Sequence, residues 1–281
     1  MSQRSHIEVG GWAARHYDLM MDLLLVGRYQ AFIERAIGRM DIRRGDAVLD
    51  LGSGTGRNIC VMLKVLGPTG RIVGVDISQE MLKQAQQRCR AYPQVTFLNR
   101  RIEEPLPFHE EFDKAFISFT LHGFEDEDKE RVIANAHRAL KPGGMFWILD
   151  YNEFDLDRQW FPFRWAFRRF ECELASEFLS LDLKRMLAGH GFGNFVTHPF
   201  LRGYVRLLGA EKLKEVLMSA KADRIKELEK QIEDLKSRWP AHSVPPTMLQ
   251  QLEELEEELE RELRKAEEDK TNAQADGSGG L

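Results

Sequence analysis

Between Ala47 and Leu208, five short runs rich in strand-forming residues alternate with stretches of helical character, and no other feature limits the fold of this chain as tightly. The runs are AVLDLG, RIVGVDI, VTFLN, KAFISFTL and GMFWILDY, and the intervening helices include Ser78–Tyr92 and Lys129–Leu140. Strands separated by helices are joined by crossovers, which build a parallel sheet with right-handed connections. Two further runs, FGNFVTHPF and GYVRLLGAEK, follow one another closely and predict a closing antiparallel pair. The expectation is an α/β fold, a doubly wound and mostly parallel seven-stranded sheet over residues 45–212.

The flanks read differently. Leu19, Leu23, Val26, Phe32, Ile33 and Ile37 are helically spaced, which predicts one or two lid helices within 1–44. Beyond Glu211 glycine and aromatic residues become scarce and charge dominates. Ile225, Leu228, Ile232, Leu235 and Trp239 repeat at coiled-coil spacing, and so do Met248, Leu252, Leu255 and Leu259 after a break from Pro240 to Pro246. A helical hairpin over 213–270 is expected, with a disordered tail at 271–281. The first arm is basic and the second acidic, so Lys226 and Lys230 are expected to face glutamates across the seam. Each arm has apolar surface left over, and a second copy of the hairpin would cover it, which predicts a homodimer through 213–270.

Composition removes several function classes. With 40 Lys and Arg against 45 Asp and Glu, the net charge of -5 gives no global attraction to nucleic acid. Cys60, Cys89 and Cys172 lack metal-ligand spacing and are expected to be reduced packing residues. Neither a secretory signal nor a membrane-spanning run is evident, so the expected location is the cytoplasm, with no metal site.

The chemistry is carried by VLDLGSGTGR at 48–57, which puts Gly52, Gly54 and Gly56 on the first strand-to-helix turn. There a backbone without Cβ atoms can approach a ligand closely. Asp76 ends the second run, where a carboxylate can accept both hydroxyls of a ribose. A dinucleotide fold needs GxGxxG to seat a pyrophosphate, whereas this turn is GxGxG preceded by Asp50. An acid there repels phosphate and attracts an ammonium, such as that of the methionine moiety of S-adenosylmethionine.

LDLGSGTG, GPTGRIVGVDISQEMLKQA, LPF with FDKAFISFTLHGFEDEDK, and RALKPGG closely resemble class I S-adenosylmethionine-dependent methyltransferases. The likeness is greatest to the ubiquinone/menaquinone-biosynthesis C-methyltransferase group and runs from about Tyr17 to Lys212. It implies that Asp50, Gly52, Gly54 and Gly56 contact the methionine end, Asp76 the ribose, and Ile77 and Met81 the adenine, while Tyr17 closes over the cofactor. Ser53 in the turn and Ser118 at the end of the fourth run complete this set. Where the family carries Asp or Asn, this chain has Ile102, so the adenine would be read by backbone N–H groups of Ile102 and Glu103 or by the Glu103 carboxylate. Where the quinone enzymes tend to carry Arg, it has His122.

Methyl transfer is an in-line displacement that positioning largely catalyses, and a base helps only when the acceptor must lose a proton. His122 follows the fourth run and suits that role; Asp150 and Tyr151 end the fifth and face the same crevice. Trp160, Phe161, Phe163, Trp165, Phe167 and Phe170, interleaved with Arg158, Arg164, Arg168 and Arg169, form an insertion within 150–180 that can enclose an apolar acceptor or, through 155–170, contact a membrane surface. A core of these aromatics capped by solvated arginines is the structural alternative. Two function classes follow: methylation of a small or lipid-like acceptor, quinone or phospholipid types included, or a cofactor-binding scaffold that recruits a protein partner through its coiled-coil tail. RNA methylation would require a basic face that is missing here.

Overall fold

The computed structural model describes residues 29–161, 164–165, 167, 173–214, 228, 230–236, 248 and 250–259. Its strands are β1 Ala47–Leu51, β2 Arg71–Asp76, β3 Val95–Asn99, β4 Phe112–Ser118, β5 Leu140–Tyr151, β6 Phe192–Phe200 and β7 Val205–Lys212. Among the described residues they are flanked by helices α1 Tyr29–Ile37, α2 Arg57–Leu66, α3 Gln79–Arg88, α4 Asp126–Ala139, α5 Glu173–Phe178 and α6 Leu183–Gly189. The strands form one sheet in the order β3-β2-β1-β4-β5-β7-β6. β1 to β5 pair in parallel, and β7 runs antiparallel to both of its neighbours. The expected seven-stranded architecture is therefore present.

Both faces of the sheet are covered, so its central strands are continuously apolar instead of alternating with polar residues. Leu49, Leu51, Ala115, Ile117, Phe146 and Ile148 pack with Val132, Ile133 and Ala136 of α4 on one face. Val48, Ile72, Phe116, Trp147 and Leu149 meet Ile33 and Ile37 of α1 and Ile59, Met62 and Leu66 of α2 on the other. Strand order reverses between β1 and β4, and the crevice beyond the C-terminal ends of these strands is where ligands bind in such folds.

Element boundaries depart from the sequence expectation in three places. β5 starts at Leu140, because Lys141 to Gly144 loop out as a bulge between the pairs Phe112–Leu140 and Lys114–Met145. α4 starts at Asp126, where three acids in its first turn complement the helix dipole. α3 ends at Arg88, short of Tyr92, since Pro93 disfavours helical geometry in the residue before it.

Residues 230–236 and 250–259 are helical. Ile232, Leu235 and Leu252 are buried together, with Met248, Leu255 and Leu259 packed against them. The cross-arm ion pair among the described residues joins Lys236 to Glu256 at 2.8 Å. Lys226, Ile225, Trp239, Tyr17 with most of the expected lid, and the tail at 271–281 lie outside the described residues. Among those described, no helix is long and apolar enough to cross a membrane.

Candidate active site

The turn after β1 is shaped by its glycines. Gly52, Gly54 and Gly56 have φ of 75°, 53° and 75°, a region that side-chain-bearing residues avoid. A Cβ on Gly52 would lie 2.9 Å from Thr120 Oγ1, and one on Gly56 would lie 2.9 Å from Ala85 Cβ, so these two let the turn pack against the end of β4 and against α3. A Cβ on Gly54 would meet nothing within 4 Å: its exposed edge faces the crevice. The N–H groups of Gly52 and Ser53 both donate to Val75 O, at 2.8 and 3.0 Å, which ties the turn to β2. Arg88, which the sequence reading missed, holds Thr55 from α3 through its carbonyl and hydroxyl, at 2.7 and 2.8 Å.

Asp50 is fully buried, and neither carboxylate oxygen has a hydrogen-bond partner among the described residues. Burial, reinforced by the nearby Asp76 carboxylate, pushes its pKa up to about 8. A buried acceptor without a donor is costly, and a ligand ammonium would relieve it. The residues present therefore fit the methionine end of S-adenosylmethionine: an orphaned carboxylate beside a turn whose central glycine leaves its edge clear.

Asp76 ends β2 and accepts from Gly54 N–H and Ser78 N–H, each at 2.8 Å. Burial raises its pKa, and these two bonds oppose that shift. Both oxygens retain lone pairs that ribose hydroxyls can use. Asn99 at the end of β3 donates to the carbonyls of Asp76 and Ile77 at 3.0 and 2.7 Å and fixes the loop that carries half-buried Ile77 and buried Met81. Ile102 is buried in the core, and Asn135 of α4 donates to its carbonyl at 2.8 Å. Glu103 is ion-paired with Arg101, so its carboxylate is already engaged by a cation, which favours the backbone N–H groups of this loop as readers of an adenine.

Beyond β4 the chain turns sharply, with Phe119 at φ 47°, a strained backbone often found at functional sites. Ser118 accepts from Asn58 Nδ2 at 2.8 Å, and Thr120 Oγ donates to Ser118 O at 2.8 Å. The turn delivers His122, whose Nδ1 lies 2.7 Å from Asp150 Oδ1. Asp150 also accepts the backbone N–H groups of His122 and Tyr151, at 3.2 and 2.8 Å. The Tyr151 ring lies 5.0 Å from the imidazole, so the three residues expected to act together do meet.

Aromatic contacts continue outward from this cluster. Phe167 is 5.2 Å from Tyr151 and 6.2 Å from Phe154. The insertion's remaining described aromatics point elsewhere: Trp160, Phe161 and Trp165 are 78%, 65% and 56% exposed. Among its described residues the insertion thus has a buried inner side at Phe167 and an outer face in contact with solvent. Phe163, Arg168, Arg169 and Phe170 lie outside the described residues. Cys60 and Cys89, expected to be reduced packing residues, are free thiols with sulfurs 4.0 Å apart. No cluster that could hold a metal ion occurs among the described residues.

Comparison with known proteins gives the same architecture. A family model described as a methyltransferase domain matches residues 48–144. The ubiquinone/menaquinone biosynthesis C-methyltransferase UbiE of Pasteurella multocida is 35% identical over 51% of this chain and 54% of its own length. The enzyme of the same name from Enterobacter sp. is 35% identical over 50% and 56%. The chain therefore spans about half the length of the curated relatives it matches. A structure of a S-adenosylmethionine-dependent methyltransferase from Aquifex aeolicus superposes with a TM-score of 0.54 at 18% identity, covering 72% of this chain and 100% of that one, a likeness of fold. Taken with the sheet order, the glycine turn and the carboxylate ending β2, the family model identifies residues 48–144 as a match to a methyltransferase domain.

Proposed function

We propose that this protein transfers the methyl group of S-adenosylmethionine to a small or lipid-like acceptor, with quinone-type rings and phospholipid-type headgroups as the leading classes. The observation that carries this reading is the pairing of two features on one sheet edge: the orphaned Asp50 carboxylate at β1 and the His122–Asp150 dyad at the ends of β4 and β5. Asp50 takes the ammonium, Asp76 the ribose hydroxyls, and Ile77, Met81 and the backbone at Ile102 and Glu103 the adenine, while Gly52, Ser53, Gly54, Gly56 and Ser118 shape the cradle. Tyr17 is proposed to close it.

When bound, S-adenosylmethionine would supply an electrophilic methyl group, its sulfonium–methyl bond breaking and S-adenosylhomocysteine leaving as the thioether. Asp150 holds the His122 proton on Nδ1, so Nε2 is the basic nitrogen of the ring. Nε2 accepts the acceptor's proton as the new bond to carbon, nitrogen or oxygen forms. Tyr151 and Phe167 wall the site and exclude water, and the exposed Trp160, Phe161 and Trp165 favour delivery of the acceptor from a membrane surface. The tail at 213–270 is proposed to pair two copies.

Tritiated S-adenosylmethionine incubated with protein and a lipid-containing cell extract tests the central reading. Label in an extractable small molecule or lipid is the expected result. Cofactor binding without any transfer would leave a scaffold that recruits a protein through its tail.

A further inference from the structure

Asn58 occupies the first turn of α2, directly behind the glycine turn, and is 7% exposed. Its Nδ2 donates to Ser118 Oγ at 2.8 Å, across the space between α2 and the end of β4. Its Oδ1 is buried and has no partner among the described residues. Buried amide oxygens are nearly always satisfied, so an exception at a ligand crevice calls for a ligand donor.

Its surroundings indicate which donor. Asp50 pairs in register with Phe116 of β4, and Ser118 lies two positions further along the same face. The Asn58–Ser118 pair therefore stands on the face, and beside the strand end, where the Asp50 carboxylate is buried. Among the described residues, no donor reaches Asp50 Oδ1, Asp50 Oδ2 or Asn58 Oδ1. A group with several N–H donors and a positive charge matches this set better than a hydroxyl or a single amide would.

We propose that Asn58 is a second ligand of the cofactor's α-ammonium and positions the methionine arm together with Asp50. This rests on the assignment of the crevice to S-adenosylmethionine. An amide oxygen adds an acceptor without adding a third negative charge beside Asp50 and Asp76, whose mutual repulsion already disfavours ionisation of Asp50. Ser118 accepts the Nδ2 hydrogen and so turns Oδ1 away from β4. Holding the ammonium at two points restricts rotation of the methionine arm and hence the direction of the sulfonium methyl. Asn58 is a positioning residue and exchanges no proton with the acceptor.

Calorimetry with two ligands tests this. S-adenosylhomocysteine carries the ammonium; 5′-methylthioadenosine has the same adenosine end without the amino-acid arm. Asn58→Leu is expected to weaken S-adenosylhomocysteine binding by about tenfold, the scale of one lost charge-assisted bond, and to leave 5′-methylthioadenosine within about twofold. Asn58→Asp retains an acceptor oxygen and is expected to recover part of the loss, the added negative charge beside Asp50 and Asp76 opposing the rest. Retained 5′-methylthioadenosine binding also certifies the fold of each variant, and Asn58→Ala carries the same expectation should the leucine variant not fold. An equal loss for both ligands, or none for either, overturns the role of Asn58 while leaving the cofactor assignment standing. A wild-type protein that binds neither ligand overturns both.

Discussion

His122 donates through Nδ1 to Asp150 Oδ1 at 2.7 Å, a bond that joins the turn after β4 to the end of β5. The carboxylate is almost fully buried and takes two backbone N–H groups besides, so the orientation of its acceptor oxygens is fixed. An acceptor so placed fixes the tautomer and the ring plane of the histidine, as an orienting carboxylate does in hydrolytic triads.

Removing either partner should therefore act on chemistry more than on cofactor binding. His122→Ala is expected to lower turnover by about 10²–10⁴-fold while S-adenosylmethionine affinity stays within about twofold. Asp150→Asn should have a smaller effect, since the ring remains but its tautomer is no longer imposed. Single-turnover rates beside calorimetric affinities separate the effects, and a histidine variant with wild-type turnover would remove His122 from the reaction.

The raised pKa of Asp50 makes both stability and binding depend on pH. Between about 4 and about 8 the carboxyl is protonated in the ligand-free fold and ionised in the unfolded chain, so the folded state holds the extra proton. Stability from this group therefore falls as pH rises through that window and levels off above about 8. An ammonium selects the ionised form, so cofactor affinity should rise on the order of tenfold between about pH 6.5 and 8 and release a proton. Calorimetry in buffers of different ionisation heat measures that proton; affinity that does not vary with pH would detach Asp50 from the ammonium.

The strands and the site's acidic residues were legible in the sequence because each is a local signal: a buried apolar run, a glycine turn, a carboxylate at a strand end. What escaped depends on distant partners. Asn58 sits within a helical run, and the contact that gives it meaning is made to Ser118, remote in the chain. Arg88 is an ordinary helix-end cation until α3 packs on the turn and brings it to Thr55. The aromatic insertion has no period that separates Phe167, which turns inward, from Trp165, which does not.

The environments of the central Gly54 and of Gly56 predict different outcomes for one substitution. Gly54→Ala places its Cβ in open space, so its cost to the fold is the backbone strain alone, about 1–2 kcal/mol, while the methyl group enters the crevice and blocks the ligand. Gly56→Ala drives a Cβ into Ala85 and adds overpacking of about 1–3 kcal/mol to that strain. Melting curves with and without S-adenosylmethionine distinguish them. Gly54→Ala should melt a few degrees below wild type and show no ligand shift, whereas Gly56→Ala should melt further below it.

The outer face of the insertion offers a direct test of membrane contact. Trp160, Phe161 and Trp165 are exposed, and Arg164 lies over the Phe161 ring at 5.9 Å, an arrangement suited to a headgroup boundary. Tryptophan emission should shift to the blue with anionic vesicles at low salt and less so at high salt. Replacing Trp160 and Trp165 by serine should abolish vesicle binding and leave cofactor affinity intact. Cosedimentation equal to that of the wild type would assign these residues to another surface.

The tail makes the last prediction. Its seam closes within one chain around Ile232, Leu235 and Leu252, but Met248, Leu255 and Leu259 remain only half-buried beside it. Covering that residual stripe with a second hairpin would give a four-helix contact, with the basic arm of one copy beside the acidic arm of the other. Removal of the tail must spare β7, since Lys212 is buried and bonds Glu110 and the Leu140 carbonyl, each at 2.9 Å. A chain ending after Lys214 should therefore keep its fold and its affinity for S-adenosylmethionine while its mass by light scattering falls from dimer to monomer. A full-length protein that is monomeric at high micromolar concentration would sink the dimer, and a truncated dimer would move the contact to the methyltransferase domain.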